Sequence, residues 1–164
     1  MFDQQNEESI ERIVSLDVLN KEEQALFEQA VHLLRMHHKE HLLIKQILGF
    51  HVNQIEKDKA IISMPIHDSL SNGRNMVHGG IIAALADAAM GILAAAVTGD
   101  EKSAVTAQLS ISYIATGRGK FLEARVEAVH IGRRSLVIDC VIVNDAEKLI
   151  AKAEATFFIV PKGY

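Results

Sequence analysis

Along this chain the spacing of apolar residues changes several times, and each change marks an element. In residues 21–48 the apolar side chains fall at helical spacing: Leu26, Ala30, Leu33 and Leu34, then Leu42, Leu43 and Ile47. Asn20, with Glu23 three residues on, has the spacing of a capping box, and Gly49 supplies a terminator. A helix is therefore predicted over 21–48, with a shorter one over 9–19. From Phe50 the pattern becomes that of strands, at 50–56 and 59–66, joined at the charged turn Lys57-Asp58. A polar, turn-prone segment over 68–75 follows. A run that is apolar on every side then predicts a helix from near Gly79 to near Gly99. Four more strands are expected at 103–114, 120–130, 135–144 and 149–160, with turns at Gly117/Gly119, Gly132 and Asp145. In the first of the four, Val105, Ala107, Leu109, Ile111 and Tyr113 alternate with Thr106, Gln108, Ser110 and Ser112. That period of two marks one buried and one open face of an antiparallel sheet.

This order predicts an α+β protein: an N-terminal helical extension over 1–48 and a sheet-and-helix domain over 49–164. The last four strands are expected to form a meander. A curved sheet covers a helix on one side only, so a helix apolar all round needs a second cover. That argues for a homodimer, with a homotetramer left open.

Composition narrows the function classes. At 164 residues, 49% of them apolar, the chain is long enough to bury a core. The net charge of −4 offers no general attraction to phosphate backbones. Residues 1–46 carry nine Asp or Glu against five Lys or Arg, so no nucleic-acid partner is expected. The start of the chain lacks the basic-then-apolar pattern of a secretion signal, and a cytoplasmic location is expected. Residues 81–97 resemble a membrane span by composition, but Asp87 at the centre would cost roughly 2.5–3.5 kcal/mol in lipid, so a helix buried within protein is expected and no membrane. The lone Cys140 lies in an apolar strand and reads as a buried, inert thiol.

Two features carry chemistry. Asp87 is the only ionisable group in its helix, and its neighbours at helical spacing offer no cation. Such a residue is used, or else sits at a wet helix edge or a subunit-bridging hydrogen bond. His78-Gly79-Gly80 opens the helix. Two glycines let a ligand approach the backbone, and the first helical N–H groups suit a developing oxyanion; a tight turn is the other reading.

Taken together, Asn72, then His78-Gly79-Gly80 six residues on, then Leu85-Ala86-Asp87 resemble the PaaI-type hotdog-fold acyl-CoA thioesterases. The resemblance covers about residues 50–160. It implies a hotdog fold, an antiparallel sheet wrapped around a long central helix, with active sites at the interface of a dimer. It also implies hydrolysis of an acyl-CoA thioester with no metal and no further cofactor, CoA being part of the substrate. Carried over by position, Asp87 would be the general base or nucleophile and the Gly79 N–H the donor to the thioester oxygen. Asn72 and His78 would place the carbonyl or the water, and Thr106 matches a position where some members carry an assisting Ser. Gly80 would let the CoA portion pass close to the backbone. Arg133 and Arg134, in a predicted turn, would meet the CoA phosphates, for which forked guanidinium donors are suited; two solvated turn arginines are the alternative. Arg74 and Arg118 are weaker candidates. The chain departs from the family at Asn75, where Gly is frequent, and at Thr116, where Pro is common.

Other signals are decoys. His32, His37, His38 and His41 cluster on one predicted helix without a well-spaced third ligand, so no metal site is expected. No Gly-x-Ser-x-Gly occurs. Two alternatives remain beside thioester hydrolysis: a hydratase or dehydratase acting on acyl thioesters, and a non-catalytic acyl-CoA sensor. The first wants a differently arranged His/acid pair, and the second has no need of an ionisable Asp87.

Overall fold

A computed structural model describes residues 19–21, 23–25, 27, 28, 48–72 and 74–163. The chain divides into two units, Met1–Ile47 and Leu48–Tyr164. In the first, the capping box forms: the Asn20 N–H donates to Glu23 Oε2 at 2.8 Å and the Glu23 N–H to Asn20 Oδ1 at 3.0 Å. The described positions from 21 to 28 are helical. The rest of the predicted helix over 21–48, the shorter one over 9–19, the four clustered histidines and Gly73 lie outside the described residues.

The second unit is built from β1 (His51–Ile55), β2 (Lys59–Pro65), a 3-10 turn (Asp68–Leu70), α1 (Gly79–Thr98), β3 (Lys102–Tyr113), β4 (Phe121–Ile131), β5 (Ser135–Asn144) and β6 (Leu149–Pro161). All six strands join one antiparallel sheet, and α1 lies across one face of it. This is the hotdog arrangement. The core is the layer between them: Ile62, Met64, Leu122, Ile138, Ile142 and Phe157 from the sheet meet Leu85, Met90 and Leu93 from the helix, all essentially inaccessible. Burying each such side chain contributes about 1.5–3 kcal/mol. Gly99, at φ +72, ends α1 where the sequence places the stop.

The helix is covered on one side only. Ile82, Leu85, Ala86, Ala89, Met90 and Leu93 are buried, whereas Ile81, Ala84, Ala88 and Ile92 on the other side are only partly so. By length and composition α1 could cross a membrane. Its packing against the sheet accounts for the apolar stripe that faces inward.

Two expectations are corrected. The last four strands do not form a meander, because the sheet order is β1-β2-β4-β5-β6-β3. β2 takes the free edge of β4, so β3 is displaced to the far edge beside β6. The chain must then cross the end of the sheet between β3 and β4. This crossover is held by Ile114 and Ala115 N–H bonds to Ile150, by Asn144 Nδ2 donating to the Arg118 carbonyl at 2.8 Å, and by Ile66 N–H donating to the Lys120 carbonyl. Gly119, at φ +133, is needed here, since a Cβ would run into the Asp145 carboxylate.

The second correction concerns β3. Thr106 pairs with Phe157 and Gln108 with Thr156, consecutive residues of β6, so Ala107 is an extra residue, a β-bulge. The bulge inverts the alternation. Leu109 and Ile111 pack on the core as expected, but Val105 is 42% exposed and Ala107 is exposed too. On that side of the bulge it is Ala104 and Thr106 that face the helix.

Cys140 is buried in β5 as expected, and burial, assisted by the charge of Asp139, pushes its thiol up to about 12. The thiolate is the reactive form. Cys140 should therefore resist iodoacetamide at pH 8 in the native protein and be alkylated at an ordinary thiol rate in urea. Equal labelling in both conditions, followed by mass spectrometry, would contradict its burial.

Candidate active site

The segment before α1 is shaped by its own backbone. Ser71 and Val77 form an isolated antiparallel bridge, and the Asn72 N–H donates to the Met76 carbonyl at 2.7 Å. Asn72 Oδ1 accepts the Arg74 N–H at 2.9 Å, and its Nδ2 has no acceptor among the described residues. Asn75 takes the positive φ of +54 that this turn demands, which Asn tolerates better than most residues. Two further bonds fix the exit: His78 N–H to the Leu70 carbonyl and Val77 N–H to the Gly117 carbonyl, both 2.9 Å. The crossover between β3 and β4 thus holds the start of the helix in place.

At that start one donor is left over. His78 Nδ1 accepts the Gly80 N–H at 3.0 Å. The N–H groups of Ile81 and Ile82 both reach the His78 carbonyl, at 2.9 and 3.2 Å. Of the first four helical N–H groups, only that of Gly79 has no acceptor among the described residues. It stands at the positive end of the helix dipole, where negative charge is favoured. Because Nδ1 of His78 accepts, the neutral ring carries its proton on Nε2 and can donate there.

Asp87 lies two turns further on, on the side of α1 away from the core, half-buried. Thr106 Oγ1 donates to Asp87 Oδ1 at 2.9 Å. The carboxylate thus has one oxygen held and the other available. The structure brings Asp87 and Thr106 together, and His78, Gly79 and Gly80 together, as two separate groups. Eight residues of helix separate Gly79 from Asp87, about 12 Å at the usual rise. A single carbonyl needs oxyanion donor and base each within roughly 3 Å. Within one chain they do not meet.

Arg133 and Arg134 occupy the β4–β5 turn, closed by the Gly132 N–H to the Ser135 carbonyl at 2.9 Å, and both are exposed. That turn lies at the end of the sheet where Thr106, Phe157, Leu136 and Ile131 run side by side. Neither arginine has an acidic partner among the described residues. Arg118 and Arg74 come together at the other end, Arg118 Nη2 donating to the Arg74 carbonyl at 3.4 Å. A cavity of about 490 Å³ lies elsewhere, lined by Gln54, Glu56, Lys59, Arg125, Glu127 and Asp139. Its cations are spoken for: Lys59 pairs with Glu127 at 3.1 Å, and Arg125 with Glu147 at 2.7 Å and Glu123 at 2.8 Å. Glu147 and then Glu123 hold the Arg125 proton more tightly than usual, and Arg125 in turn draws Glu147 below the ordinary carboxylate range. With its cations neutralised, the cavity is ill-suited to a polyphosphate. No trio of His, Cys, Asp or Glu that could hold a metal occurs among the described residues.

Sequence reasoning missed Tyr113. Its hydroxyl donates to the Gly79 carbonyl at 2.9 Å, from the last position of β3. The only signal was a hydroxyl on the final member of an apolar alternation.

Comparison with known proteins identifies the family. Residues 74–151 match the Thioesterase superfamily model. The acyl-coenzyme A thioesterase PaaI of Escherichia coli is 30% identical over 105 residues, 63% of this chain and 73% of that protein. A 1,4-dihydroxy-2-naphthoyl-CoA hydrolase of Listeria monocytogenes is 24% identical over 119 residues, 73% of this chain and 97% of that one. A Bacillus halodurans protein, solved with CoA, superposes with a TM-score of 0.77 at 28% identity, covering 93% of this chain and 99% of that one. The chain belongs to the PaaI-type hotdog-fold thioesterases and is a thioester hydrolase.

Proposed function

We propose that the protein hydrolyses an acyl-CoA thioester with Asp87 as its base or nucleophile and the Gly79 N–H as its oxyanion donor. The observation that carries this reading is the pair of unspent groups: a carboxylate oriented by Thr106, and, at the start of α1, one N–H without an acceptor among the described residues. As a base, the free oxygen of Asp87 takes a proton from water while the water oxygen bonds to the thioester carbon. The carbonyl electrons move to oxygen and are stabilised at Gly79. Their return breaks the C–S bond, and the departing thiolate takes up a proton to leave CoA and a carboxylic acid. As a nucleophile, Asp87 attacks the same carbon directly, the C–S bond breaks and the CoA thiolate leaves with a proton from solvent, and water then hydrolyses the mixed anhydride to the carboxylic acid and free Asp87. A thioester carbonyl is reactive enough for this without a metal, a redox cofactor or a Ser-His-Asp triad.

The roughly 12 Å between Gly79 and Asp87 supports a site shared between two copies. β3 offers twelve residues of strand whose outer edge has no partner among the described residues, a ready template for a second β3. Pairing across a twofold axis would apply the Gly79 end of one copy to the Asp87 side of the other and cover the open stripe of α1. His78 and Asn72 would then orient the carbonyl or water through Nε2 and Nδ2. Arg133 and Arg134, which have no acidic partner among the described residues, would take the CoA phosphates.

Three outcomes are expected. CoA release from short, medium, long and aromatic acyl-CoA should fall by about 10²–10⁴ in Asp87→Asn and Asp87→Ala. Turnover that survives both removes Asp87 from the reaction, and tight binding without wild-type turnover would indicate a sensor. Thr106→Val, which deletes only the donor to Asp87, should lower kcat by about tenfold with an unchanged melting temperature; an unaltered kcat would make Thr106 an ordinary strand residue. Finally, mixing inactive Asp87→Asn chains with impaired His78→Ala chains should restore turnover, since a heterodimer rebuilds one complete site. A mixture no more active than its parts, with subunit exchange demonstrated, would place each site within a single chain.

A further inference from the structure

We infer that Tyr113 is a positioning residue for the oxyanion donor, an inference that rests on the reading of Gly79 given above. The helix begins with two glycines, the pair with the greatest backbone freedom, at the end of a helix most prone to fray. A donor that wanders is a poor oxyanion donor, because its value lies in being fixed before charge develops.

Two rings restrain the pair from different sides. The His78 ring accepts the Gly80 N–H and stands 3.2 Å from where a Gly80 Cβ would be. The Tyr113 ring stands 3.5 Å from where a Gly79 Cβ would be, and its hydroxyl donates to the Gly79 carbonyl at 2.9 Å. That bond uses a carbonyl oxygen and leaves the Gly79 N–H unspent. Tyr113 is also 52% exposed, so its ring is no part of the core that holds the fold. Its place is set by the β3 bulge, beyond which Leu109, Ile111 and Tyr113 share the helix-facing side. The crossover that begins at the next residue is the one that bonds Val77. Strand, crossover and helix start are therefore tied at one corner, and Tyr113 is the side chain that reaches across it.

The test compares Tyr113→Phe, which keeps the ring and deletes the bond, with Tyr113→Ala, which deletes both. Asp87→Asn is measured in parallel on the full-length protein. In Tyr113→Phe, kcat should fall about 5- to 20-fold with KM within about twofold, and amide exchange over residues 79–83 should quicken, at an unchanged melting temperature. Tyr113→Ala should lower kcat further. If Tyr113→Phe leaves kcat and exchange as they were while Asp87→Asn is inactive, the positioning role is wrong and the reading of the site stands. A rise in KM with unaltered kcat and exchange would make Tyr113 a substrate contact and likewise overturn the inference. If Asp87→Asn retains full turnover, the reading of the site itself fails.

Discussion

The hydrogen bond from Thr106 to Asp87 constrains more of this structure than any other single contact. A carboxylate on an apolar helix needs a polar partner, and no neighbour on α1 can supply one. Asp87 is half-buried, so water solvates part of the carboxylate, and a hydrogen bond to the charged group contributes about 1.5–3 kcal/mol more. The partner must come from the adjacent strand, and regular alternation on β3 would turn Thr106 away from the helix whenever Leu109 and Ile111 turn toward it. The extra residue Ala107 removes that conflict. It lets the strand present apolar side chains to the core at one end and a hydroxyl to the carboxylate at the other. The bulge leaves Val105 42% exposed.

Much of this was legible in the sequence, and the failures share a cause. The helix bounds near Gly79 and Gly99 could be read because glycine and an apolar run are local signals. So could the capping box at Asn20. The strands were located to within a residue or two for the same reason. The inverted faces of β3 were not legible, because a bulge is a mismatch between two strands and nothing in the Thr106-Ala107-Gln108 spacing announces it. The position of β3 at the sheet edge was hidden too. Neighbours in sequence usually pair, and only the competition of β2 for the edge of β4 decides otherwise. Tyr113 was hidden as an ordinary alternating residue, since its partner is a carbonyl 34 residues away. In each case the missing information was a long-range pairing.

The start of α1 shows how a chain can leave one donor unspent on a helix whose other early donors are used. A polar Ncap side chain ordinarily satisfies the N–H of the second or third helical residue, and the remaining orphans go to water. Here the His78 ring takes the Gly80 N–H and its carbonyl takes those of Ile81 and Ile82. The capping arrangement thus exhausts every early donor except the one next to the cap itself. A Cβ at 79 would stand 3.5 Å from the Tyr113 ring, an ordinary contact, so the ring packs closely over this glycine without crowding it. The same logic fixes the His78 tautomer, so the cap and the orientation of a possible substrate donor on Nε2 are consequences of one bond.

Charge separates the places where a CoA ester could rest. The whole chain carries −4, so a polyanion is drawn only by cations that are not already neutralised. The Lys59 and Arg125 cavity fails on this ground, since each cation there lies within 3.1 Å of a carboxylate. Displacing those carboxylates would expose their charge to the incoming phosphates. Arg133 and Arg134 carry no such partner and project from a tight turn at the Thr106 end of the sheet, so phosphate contact there would cost only the desolvation of exposed guanidiniums. Arg74 and Arg118 stand at the Gly79 end instead. In a shared site the two arginine pairs would come from different copies and flank the same substrate. Positive charge would then be concentrated by assembly in a protein that is acidic as a whole.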